Sequence, residues 1–399
     1  MLPHFSKHMA TPLAITGIGC IGAPGSGLAA QCVALRSGTC GLSLAQDPAL
    51  PLAAQVPVAR VHTGLPTGYG RTAALGLVAA REALLSLPPA LRRDLGLIVG
   101  TCTGGMRESE AHYLTTIATS ENSPISSPIY RQQPAASVTT AIATALGIRG
   151  PRSTHSVACA SAASAIAEAA EWLRSSLVER VLVIGTDALT RLTLGGFASL
   201  QVIDPQGCRP LTRERAGMNL GEGAGALLLE LPRAAHARGA QPLASLLGWG
   251  LRADAHHPTA PHPEGVHLEL AIRDALHDAC LAPTAIDYVS AHGTGTHDND
   301  ACEASVLARV FGAIPTASCK RIYGHSMGAS AAIEAVVSCL ALIHGQRWLS
   351  SGVELGTAVS GIAVQRTTVA GNMHAVCSTS LAFGGVNAAL IFGTGASCR

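Results

Sequence analysis

Two Ala-rich segments constrain the fold of this 399-residue chain more than any other feature. Residues 163–169 read ASAIAEA and residues 329–335 read ASAAIEA, so small side chains recur nearly all round each predicted helix. Such helices are buried and pack closely against their neighbours. The offset of 166 residues suggests two duplicated halves, which would place Cys159 and His325 at matching helix starts. Chance similarity between two Ala-rich helices is the alternative explanation.

Apolar runs typical of strands alternate with helical patterns, of which Thr72–Leu87 is the clearest. The runs are Leu13–Gly19, Leu95–Val99, Val181–Ile184, Ala224–Leu229, Tyr288–Ser290 and Ala388–Phe392. This alternation predicts an α/β fold with a largely parallel sheet. No low-complexity linker divides the chain, and its length predicts two or three domains or one large α/β unit.

Composition excludes several classes of protein. The net charge of +2 argues against an electrostatic nucleic-acid binder, and 13% charged residues with 43 Gly argue against a disordered chain. The 12 Cys include no C-x-x-C pair, which argues against a zinc ribbon and favours reduced, buried thiols. Pro and Gly interrupt the apolar N-terminal region, and no stretch resembles a membrane-spanning helix. We therefore expect a soluble, cytoplasmic protein without a membrane segment.

Cys159 is the candidate nucleophile. It lies where the stretch Ser156–Ala158 meets the first Ala-rich helix. The N-terminus of a helix carries partial positive charge and free N–H groups, so this position is expected to favour the thiolate. A buried structural cysteine is the alternative for any one of the 12 Cys, and the histidines described next favour the nucleophile.

Two histidines lie at positions suited to chemistry. His292 directly follows a predicted strand within the sequence SAHGTGT, and ligands of α/β sheets bind at that end of a strand. His325 precedes the second Ala-rich helix within KRIYGHSMG. For each residue the alternative is a structural histidine with satisfied hydrogen bonds. Lys320 is one of only two Lys in an Arg-rich chain, which suggests a need for a compact ammonium rather than a solvated surface charge.

Three other motifs are weaker. Phe383-Gly384-Gly385 precedes a strand, and its backbone N–H groups could bind an oxyanion. The segment Gly324–Gly328 fits G-x-S-x-G, but the polar residues before it and the lack of a later Asp argue against a hydrolase. A Pro-rich loop carries a group of histidines that could bind a metal, although a loop lining a pocket fits their spacing better. These histidines are His256, His257, His262 and His267.

Taken together, these motifs resemble the β-ketoacyl-acyl carrier protein synthases of the thiolase superfamily, most closely the elongating type II ketosynthases. The resemblance runs from the ITGIG sequence at residue 15 to FGGVN at residues 383–387 and includes GEGAG at 221–225. It implies an α/β, thiolase-like, duplicated αβαβα five-layer fold. The halves are expected at residues 1–245, with the nucleophilic Cys, and 246–399, with the catalytic His residues.

The resemblance also implies a role for each matched residue. Cys159 would carry the acyl chain, His292 and His325 would stabilise the enolate formed when a malonyl thioester loses CO2, and Lys320 with Glu303 would organise the polar network. The N–H groups of Cys159 and Phe383 would form the oxyanion hole, with the Phe383 ring as a gate. The expected substrate-binding residues are Thr294, Thr296, Phe197 and Gly384. No metal is expected.

The expected partners follow from the same resemblance. No bound cofactor is implied, because 4'-phosphopantetheine arrives on the acyl carrier protein. The chain is expected to form a homodimer, or a heterodimer with a ketosynthase-like chain-length partner. A thiolase lacks support because Cys377 lies too far upstream of the Gly loop, and a non-catalytic partner subunit lacks support because Cys159 is present.

Departures from the family pattern leave the acyl substrate open. Leu381-Ala382 replaces Phe-Gly, Val386 replaces Thr, and Met218-Asn219 replaces Phe-Val. The pair Glu108-Ser109 falls where long-chain synthases place apolar residues. These differences favour a specialised pathway, such as polyketide or polyene synthesis, over housekeeping fatty-acid elongation.

Overall fold

The structure is a computed structural model that describes residues 11–119 and 129–395. The strands are β1 Leu13–Gly22, β2 Gly25–Ser26, β3 Leu42–Ser43, β4 Val58–Ala59, β5 Gly96–Gly100, β6 Arg152–His155, β7 Arg180–Asp187, β8 Gly223–Glu230, β9 Ala244–Ala253, β10 Tyr288–Ser290, β11 Pro315–Ala317, β12 Gln346–Arg347, β13 Ala363–Val364, β14 Val369–Ala370, β15 Ala375–Leu381 and β16 Val386–Thr394.

The α-helices are α1 Leu28–Ser37, α2 Arg71–Ala83, α3 Met106–Thr119, α4 Ala135–Leu146, α5 Ser161–Arg174, α6 Arg191–Ser199, α7 Pro232–Ala237, α8 Val266–Asp278, α9 His297–Phe311, α10 Lys320–Tyr323 and α11 Ser330–His344. The 3-10 helices are Pro51–Ala54, Pro89–Leu91, Tyr130–Gln132, Ala158–Ala160, Pro283–Ala285, Met327–Ala329 and Val353–Leu355.

The main sheet is mixed rather than largely parallel, so that prediction was wrong. Its strand order is β13-β11-β10-β15-β16-β9-β1-β8-β7-β5-β6, with β2 paired to β1. Strands β5, β6 and β7 pair in parallel, as do β10, β11, β13 and β15, but β1, β8, β9 and β16 pair antiparallel with their neighbours. Strands β15 and β16 are joined by the short turn 382–385, which permits only an antiparallel pair.

Helices and strands form five layers. Helices α2 and α4 pack on one outer face, α5 and α11 fill the middle, and α8 and α9 cover the opposite outer face. The strands that follow residue 243 and those that precede it meet where β1 pairs with β9 over three residues. This arrangement confirms the thiolase-like αβαβα prediction, while the domain boundary at residue 245 stays a prediction.

The middle layer explains the small side chains of the two Ala-rich segments. Every residue of α11 from Ser330 to Leu342 is buried, and α5 buries most of its Ala residues against the same core. The stretch Met327–His344 is long and apolar enough to cross a membrane by composition alone, but 89% of it is buried inside the fold. It is the central core helix.

The internal repeat is real in structure, but its register differs from the predicted one. A 3-10 turn at Ala158–Ala160 leads into α5, and the corresponding turn at Met327–Ala329 leads into α11. The first residue of each turn has a left-handed backbone, with φ of 49° at Ala158 and 47° at Met327. Cys159 therefore corresponds to Gly328, and the prediction that it matches His325 was wrong. Small residues at many positions allow more than one offset, which made the shifted alignment look acceptable.

Candidate active site

The thiol of Cys159 lies at the turn before α5, and its side chain is buried. Two groups hold the strained residue Ala158 in place, because the Cys102 thiol and the Ser161 hydroxyl both donate to its carbonyl, at 3.2 and 2.6 Å. A left-handed conformation at a non-glycine residue costs energy, so it persists only where its surroundings fix it. The turn presents the Cys159 side chain to the cavity described below.

His325 is fixed in one tautomer by the turn that follows it. Its Nδ1 accepts the N–H of Met327 at 3.0 Å and lies 3.2 Å from the Ser330 hydroxyl. Since Nδ1 accepts a hydrogen bond from a backbone donor, the ring proton is on Nε2. Among the described residues, this buried Nε2 has no hydrogen-bond partner, so it is available to donate to a bound group.

His292 is held from its backbone and its ring. Glu303 accepts the N–H groups of His292 and Gly293, each at 2.8 Å, and the Thr379 hydroxyl at 2.6 Å. The Nδ1 atom of His292 lies 3.2 Å from Nζ of Lys320, an ammonium that can only donate. The proton of the His292 ring is therefore also on Nε2.

Lys320 forms a buried ion pair with Glu334. Burial lowers the pKa of Lys320, but the charge of Glu334, the nearby thiols and the hydrogen bond to Glu334 together leave the pKa raised. Burial raises the pKa of Glu334 to about 7 against the opposing charge of Lys320. Glu334 was missed although it is the one acid within a buried apolar helix, and a buried carboxylate needs a cationic partner.

The candidate nucleophile, Cys159, lies beside the two imidazoles. The ligating atoms of Cys159, His292 and His325 are all within 4.8 Å of one another, and the two rings meet edge to face with centroids 5.2 Å apart. Burial, and then the charge of Lys320, hold the pKa of both histidines well below the usual value. Both rings are therefore neutral at physiological pH, as the enolate-stabilising role requires.

The thiol of Cys159 differs from the sequence expectation. Burial raises its pKa to about 11, while the charge of Lys320 and the N–H groups of Phe383 and Cys159 act in the opposite direction. The helix start was expected to favour the thiolate, but loss of solvent has the larger effect. Cys159 therefore rests as a protonated thiol.

The Cys-His-His group resembles a zinc ligand set in composition, but its hydrogen bonds do not fit a metal. A histidine that binds a metal usually donates its other N–H to an acceptor. Here the Nδ1 atoms of His325 and His292 instead face donors, from Met327 and Lys320. Each Nε2 atom therefore carries a proton, and coordination would require both tautomers to change against these donors. The arrangement suits hydrogen-bond donation instead.

A cavity of about 510 Å³ opens onto the Cys159 thiol. Its wall includes Thr294, Thr296 and Phe197, which the sequence assigned to substrate binding, together with Phe383. The rings of Phe197 and Phe383 stack with centroids 5.4 Å apart. These two rings form an apolar wall beside the thiol.

The loop that carries Phe383 is fastened to the His-rich loop. Gly384 has a left-handed backbone, with φ of 83°, and donates its N–H to the carbonyl of Pro258 at 2.8 Å. Gly384 is exposed, and it is not among the described residues that line the cavity. The carboxylate of Asp254 accepts the side-chain amide of Asn387 at 2.8 Å. His257 lines the cavity, so this part of the His-rich loop forms a pocket wall.

Glu108 and Ser109, which are adjacent in the sequence, have different surroundings in the structure. Glu108 accepts the N–H of Arg71 at 2.7 Å and so stabilises the start of α2. Ser109 is buried and lines a second cavity of about 450 Å³. Neither residue lines the cavity at Cys159, so the placement of this pair in the wall of an acyl pocket stays a prediction.

Comparison with known proteins agrees with this site. The family models "Beta-ketoacyl synthase, N-terminal domain" and "Beta-ketoacyl synthase, C-terminal domain" match residues 69–235 and 243–349. Nodulation protein E of Rhizobium meliloti is 36% identical over 284 residues, which cover 69% of this chain and 70% of that protein. The 3-oxoacyl-[acyl-carrier-protein] synthase 2 of Staphylococcus aureus is 32% identical over 340 residues, covering 79% and 82%.

Solved structures give the same result. The ishigamide ketosynthase/chain length factor superposes with a TM-score of 0.88 at 30% identity, covering 96% of this chain and 99% of that one. The ketosynthase ApeO of Xenorhabdus doucetiae, solved in complex with its chain length factor ApeC, gives 0.87 at 30% identity, covering 98% and 100%. Fold and site thus define an acyltransferase of the thiolase-like class. The chain belongs to the β-ketoacyl synthase family, and it is an elongating ketosynthase of fatty-acid or polyketide synthesis.

Proposed function

We propose that this chain extends acyl groups by decarboxylative condensation, with Cys159 as the acyl carrier and malonyl-acyl carrier protein as the extender. The observation that carries the proposal is the buried thiol beside two neutral imidazoles whose Nε2 protons face the same space. No bound cofactor is required, because the reacting thioester arrives on the pantetheine arm. Thr294 and Thr296 line the cavity through which that arm would reach the thiol.

Acyl transfer is the first step. The sulfur of Cys159 attacks the carbonyl carbon of the acyl thioester, and the bond to the pantetheine sulfur breaks. The proton of the Cys159 thiol ends on the departing pantetheine thiol, so no external base is consumed. Because the pKa of Cys159 is raised to about 11, its proton leaves during the attack, when the negative charge passes to the carbonyl oxygen of the thioester.

Decarboxylation is the second step. The carboxylate of the malonyl thioester leaves as CO2, and its bonding electrons form an enolate whose oxygen becomes negative. The Nε2–H groups of His292 and His325 would donate to that oxygen, and they are fixed in this orientation by Lys320 and Met327. Preorganised donors stabilise a developing charge without the cost of reorientation.

Condensation is the third step. The enolate carbon attacks the acyl-Cys159 carbonyl, and the tetrahedral oxyanion would be held by the N–H groups of Cys159 and Phe383. Both N–H groups already lie close enough to the sulfur to lower the pKa of the thiol. Collapse of the intermediate expels the Cys159 sulfur, which takes up one proton and regenerates the thiol.

Mass spectrometry of the acylated protein tests the nucleophile. Incubation with an acyl-carrier protein substrate should add one acyl group to the peptide that carries Cys159. The variant Cys159→Gln should lose acylation and condensation while it keeps malonyl decarboxylation, because both histidines remain. Cys280→Ala is the control, since Cys280 is an exposed thiol that does not line the cavity. Condensation by Cys159→Gln would overturn the mechanism.

A second ketosynthase-like subunit is the proposed partner, besides the carrier protein. An apolar patch lies on α3 and α6, where Tyr113, Ile117 and Leu192 are each more than half exposed. Strand β6 is one of the two edges of the main sheet among the described strands, and β13 is the other. An unpaired edge and an exposed apolar patch mark an interaction surface. The relatives of known structure include ketosynthases solved with chain length factors, and the presence of Cys159 favours this chain as the catalytic half.

Size determination tests the partner. We expect the purified chain to form a dimer, either alone or only with a co-expressed chain-length partner, and Tyr113→Glu with Ile117→Glu should weaken it. Leu85→Glu is the matched control, because Leu85 is 81% exposed elsewhere on the surface. A monomer that condenses substrate unaided would contradict the proposal. The cytoplasmic location stays a prediction, which cell fractionation would test.

A further inference from the structure

A buried carboxylate outside the catalytic group joins the two catalytic turns. Asp187, the last residue of β7, is fully buried. Its oxygens accept the N–H and hydroxyl of Thr103 at 2.8 and 2.7 Å, the hydroxyl of Thr101 at 2.6 Å, and the N–H of Cys102 at 2.9 Å. These donors all belong to the loop that follows β5.

One further donor comes from the other half of the fold. The N–H of Gly328, in the turn before α11, donates to Oδ2 of Asp187 at 2.7 Å. A Cβ at Gly328 would lie 2.8 Å from that same oxygen and 2.9 Å from the nitrogen of Cys102. The turn therefore packs directly against the carboxylate, and a side chain at residue 328 would not fit.

The turn that contacts Asp187 through Gly328 is also the turn that orients His325. Met327, whose N–H donates to His325 Nδ1, immediately precedes Gly328. Ser330, whose hydroxyl lies 3.2 Å from the same nitrogen, follows two residues later. Met327 also holds a left-handed φ of 47°, which a turn adopts only when its surroundings fix it. The hydrogen bond from Gly328 to Asp187 supplies such a constraint at the next residue.

The link to the nucleophile is less direct. Cys102 donates its N–H to Asp187 and its thiol to the carbonyl of Ala158, which precedes Cys159. Thiols are weak donors, so this connection is the softer of the two. Asp187 is thus one hydrogen bond from the histidine turn and two from the nucleophile turn.

We propose that Asp187 is a positioning residue that aligns the His325 turn for decarboxylation. The inference rests on the role proposed for His325. The carboxylate suits the task because every atom that contacts it is a donor, and backbone N–H groups face both of its oxygens. An amide at this position would turn an NH2 group towards at least one backbone N–H. The bond to Gly328 or the bonds to the loop after β5 would then be lost.

Two half-reactions, measured on the same purified protein, test the inference. Malonyl decarboxylation without an acyl primer reports on the histidines, and the rate of acyl transfer to Cys159 reports on the nucleophile. We expect Asp187→Asn to slow decarboxylation by about 10²-fold, the effect of a displacement near 1 Å, and to slow acyl transfer at least tenfold less. Thr103→Val is the matched control, because it removes one donor to Asp187 and leaves the Gly328 bond intact; its two rates should fall together and slightly.

Gly328→Ala disrupts the same hydrogen bond between Gly328 and Asp187 at its donor end. It should reproduce the selective loss, and the double variant with Asp187→Asn should be no slower than the worse single variant, because both remove one contact. If Asp187→Asn fails to fold, the ratio of the two rates in Gly328→Ala decides alone. Equal loss of both half-reactions, or additive losses in the double variant, would overturn the inference. If His325→Ala itself keeps full decarboxylation, the proposed function fails instead, so the two failures are distinguishable.

Discussion

The ionisation of Cys159 offers the sharpest quantitative test of the site. With its pKa raised to about 11, roughly 0.1% of the thiol is ionised at pH 8, whereas about a quarter of an ordinary thiol with pKa near 8.5 is ionised. The thiolate population is therefore about 200-fold smaller than for a solvated cysteine. A more basic thiolate is also more nucleophilic, by about tenfold over this difference in pKa. Alkylation of Cys159 should thus be on the order of 20-fold slower than that of a solvated cysteine.

Iodoacetamide labelling followed by peptide mass spectrometry measures this difference within one sample. Cys40 and Cys280 are exposed and serve as internal standards. The rate at Cys159 should rise about tenfold per pH unit up to its pKa of about 11, or until the protein unfolds. Lys320→Met should slow Cys159 further, because the ammonium acts to lower the pKa of the thiol.

A different pH profile would refute the reasoning. If the Cys159 rate levels off near pH 7, the helix start and the ammonium outweigh burial, and the free enzyme holds a thiolate. The acyl-transfer step would then need no proton movement on binding. A flat profile that is equally slow at all pH values would instead indicate that the reagent does not reach the cavity, and a smaller alkylating agent should then restore the rise.

Two further predictions concern the groups around the thiol. His325→Ala removes one preorganised donor, so malonyl decarboxylation, measured by CO2 release, should fall by about 10²–10³-fold. Acyl transfer to Cys159, measured by mass spectrometry, should fall less. A larger loss of acyl transfer than of decarboxylation would contradict the role of His325. Lys320→Met leaves the Glu334 carboxyl buried without a cation, so the free energy of unfolding should fall by about 3–5 kcal/mol at pH 8. The pKa of that carboxyl is about 7 beside Lys320, and loss of the ammonium raises it further. The variant therefore gains stability as its carboxyl binds a proton between pH 8 and pH 7, where the wild-type carboxylate is still largely ionised, so the loss should shrink at pH 6. An equal loss at both pH values in urea titrations would contradict this reasoning.

The sequence predicted which residues meet at the site, but it did not predict the ionisation state of Cys159. Motifs that end strands or begin helices identify positions in an α/β fold, which is why Cys159, His292 and His325 converge as expected. The ionisation of Cys159 could not be read from its position, because a helix start favours the thiolate and burial disfavours it. Only the packing of the surrounding chain decides which effect is larger.

The sequence also did not predict which residues, distant along the chain, form pairs. The family resemblance named Glu303 together with Lys320 as organising the polar network, and it did not name Glu334. In the structure Glu303 binds backbone N–H groups of the His292 loop, and Glu334 binds the ammonium. A sequence signal did exist, since Glu334 is an acid in a helix that is otherwise apolar and a Lys is rare in this chain. Likewise, strand direction near residues 382–385 followed from a short turn rather than from the overall alternation of strands and helices.

The duplicated turn explains how one fold motif supplies two chemical functions. Each copy begins with a left-handed residue, Ala158 or Met327, and each leads into a central helix. In the first copy the next residue is Cys159, the proposed nucleophile. In the second copy the next residue is Gly328, and the absence of a side chain there lets the turn sit on a carboxylate while its N–H at Met327 orients His325. In the proposed mechanism the two halves therefore divide the reaction: one turn presents the sulfur that forms covalent bonds, and the other fixes a hydrogen-bond donor that forms none.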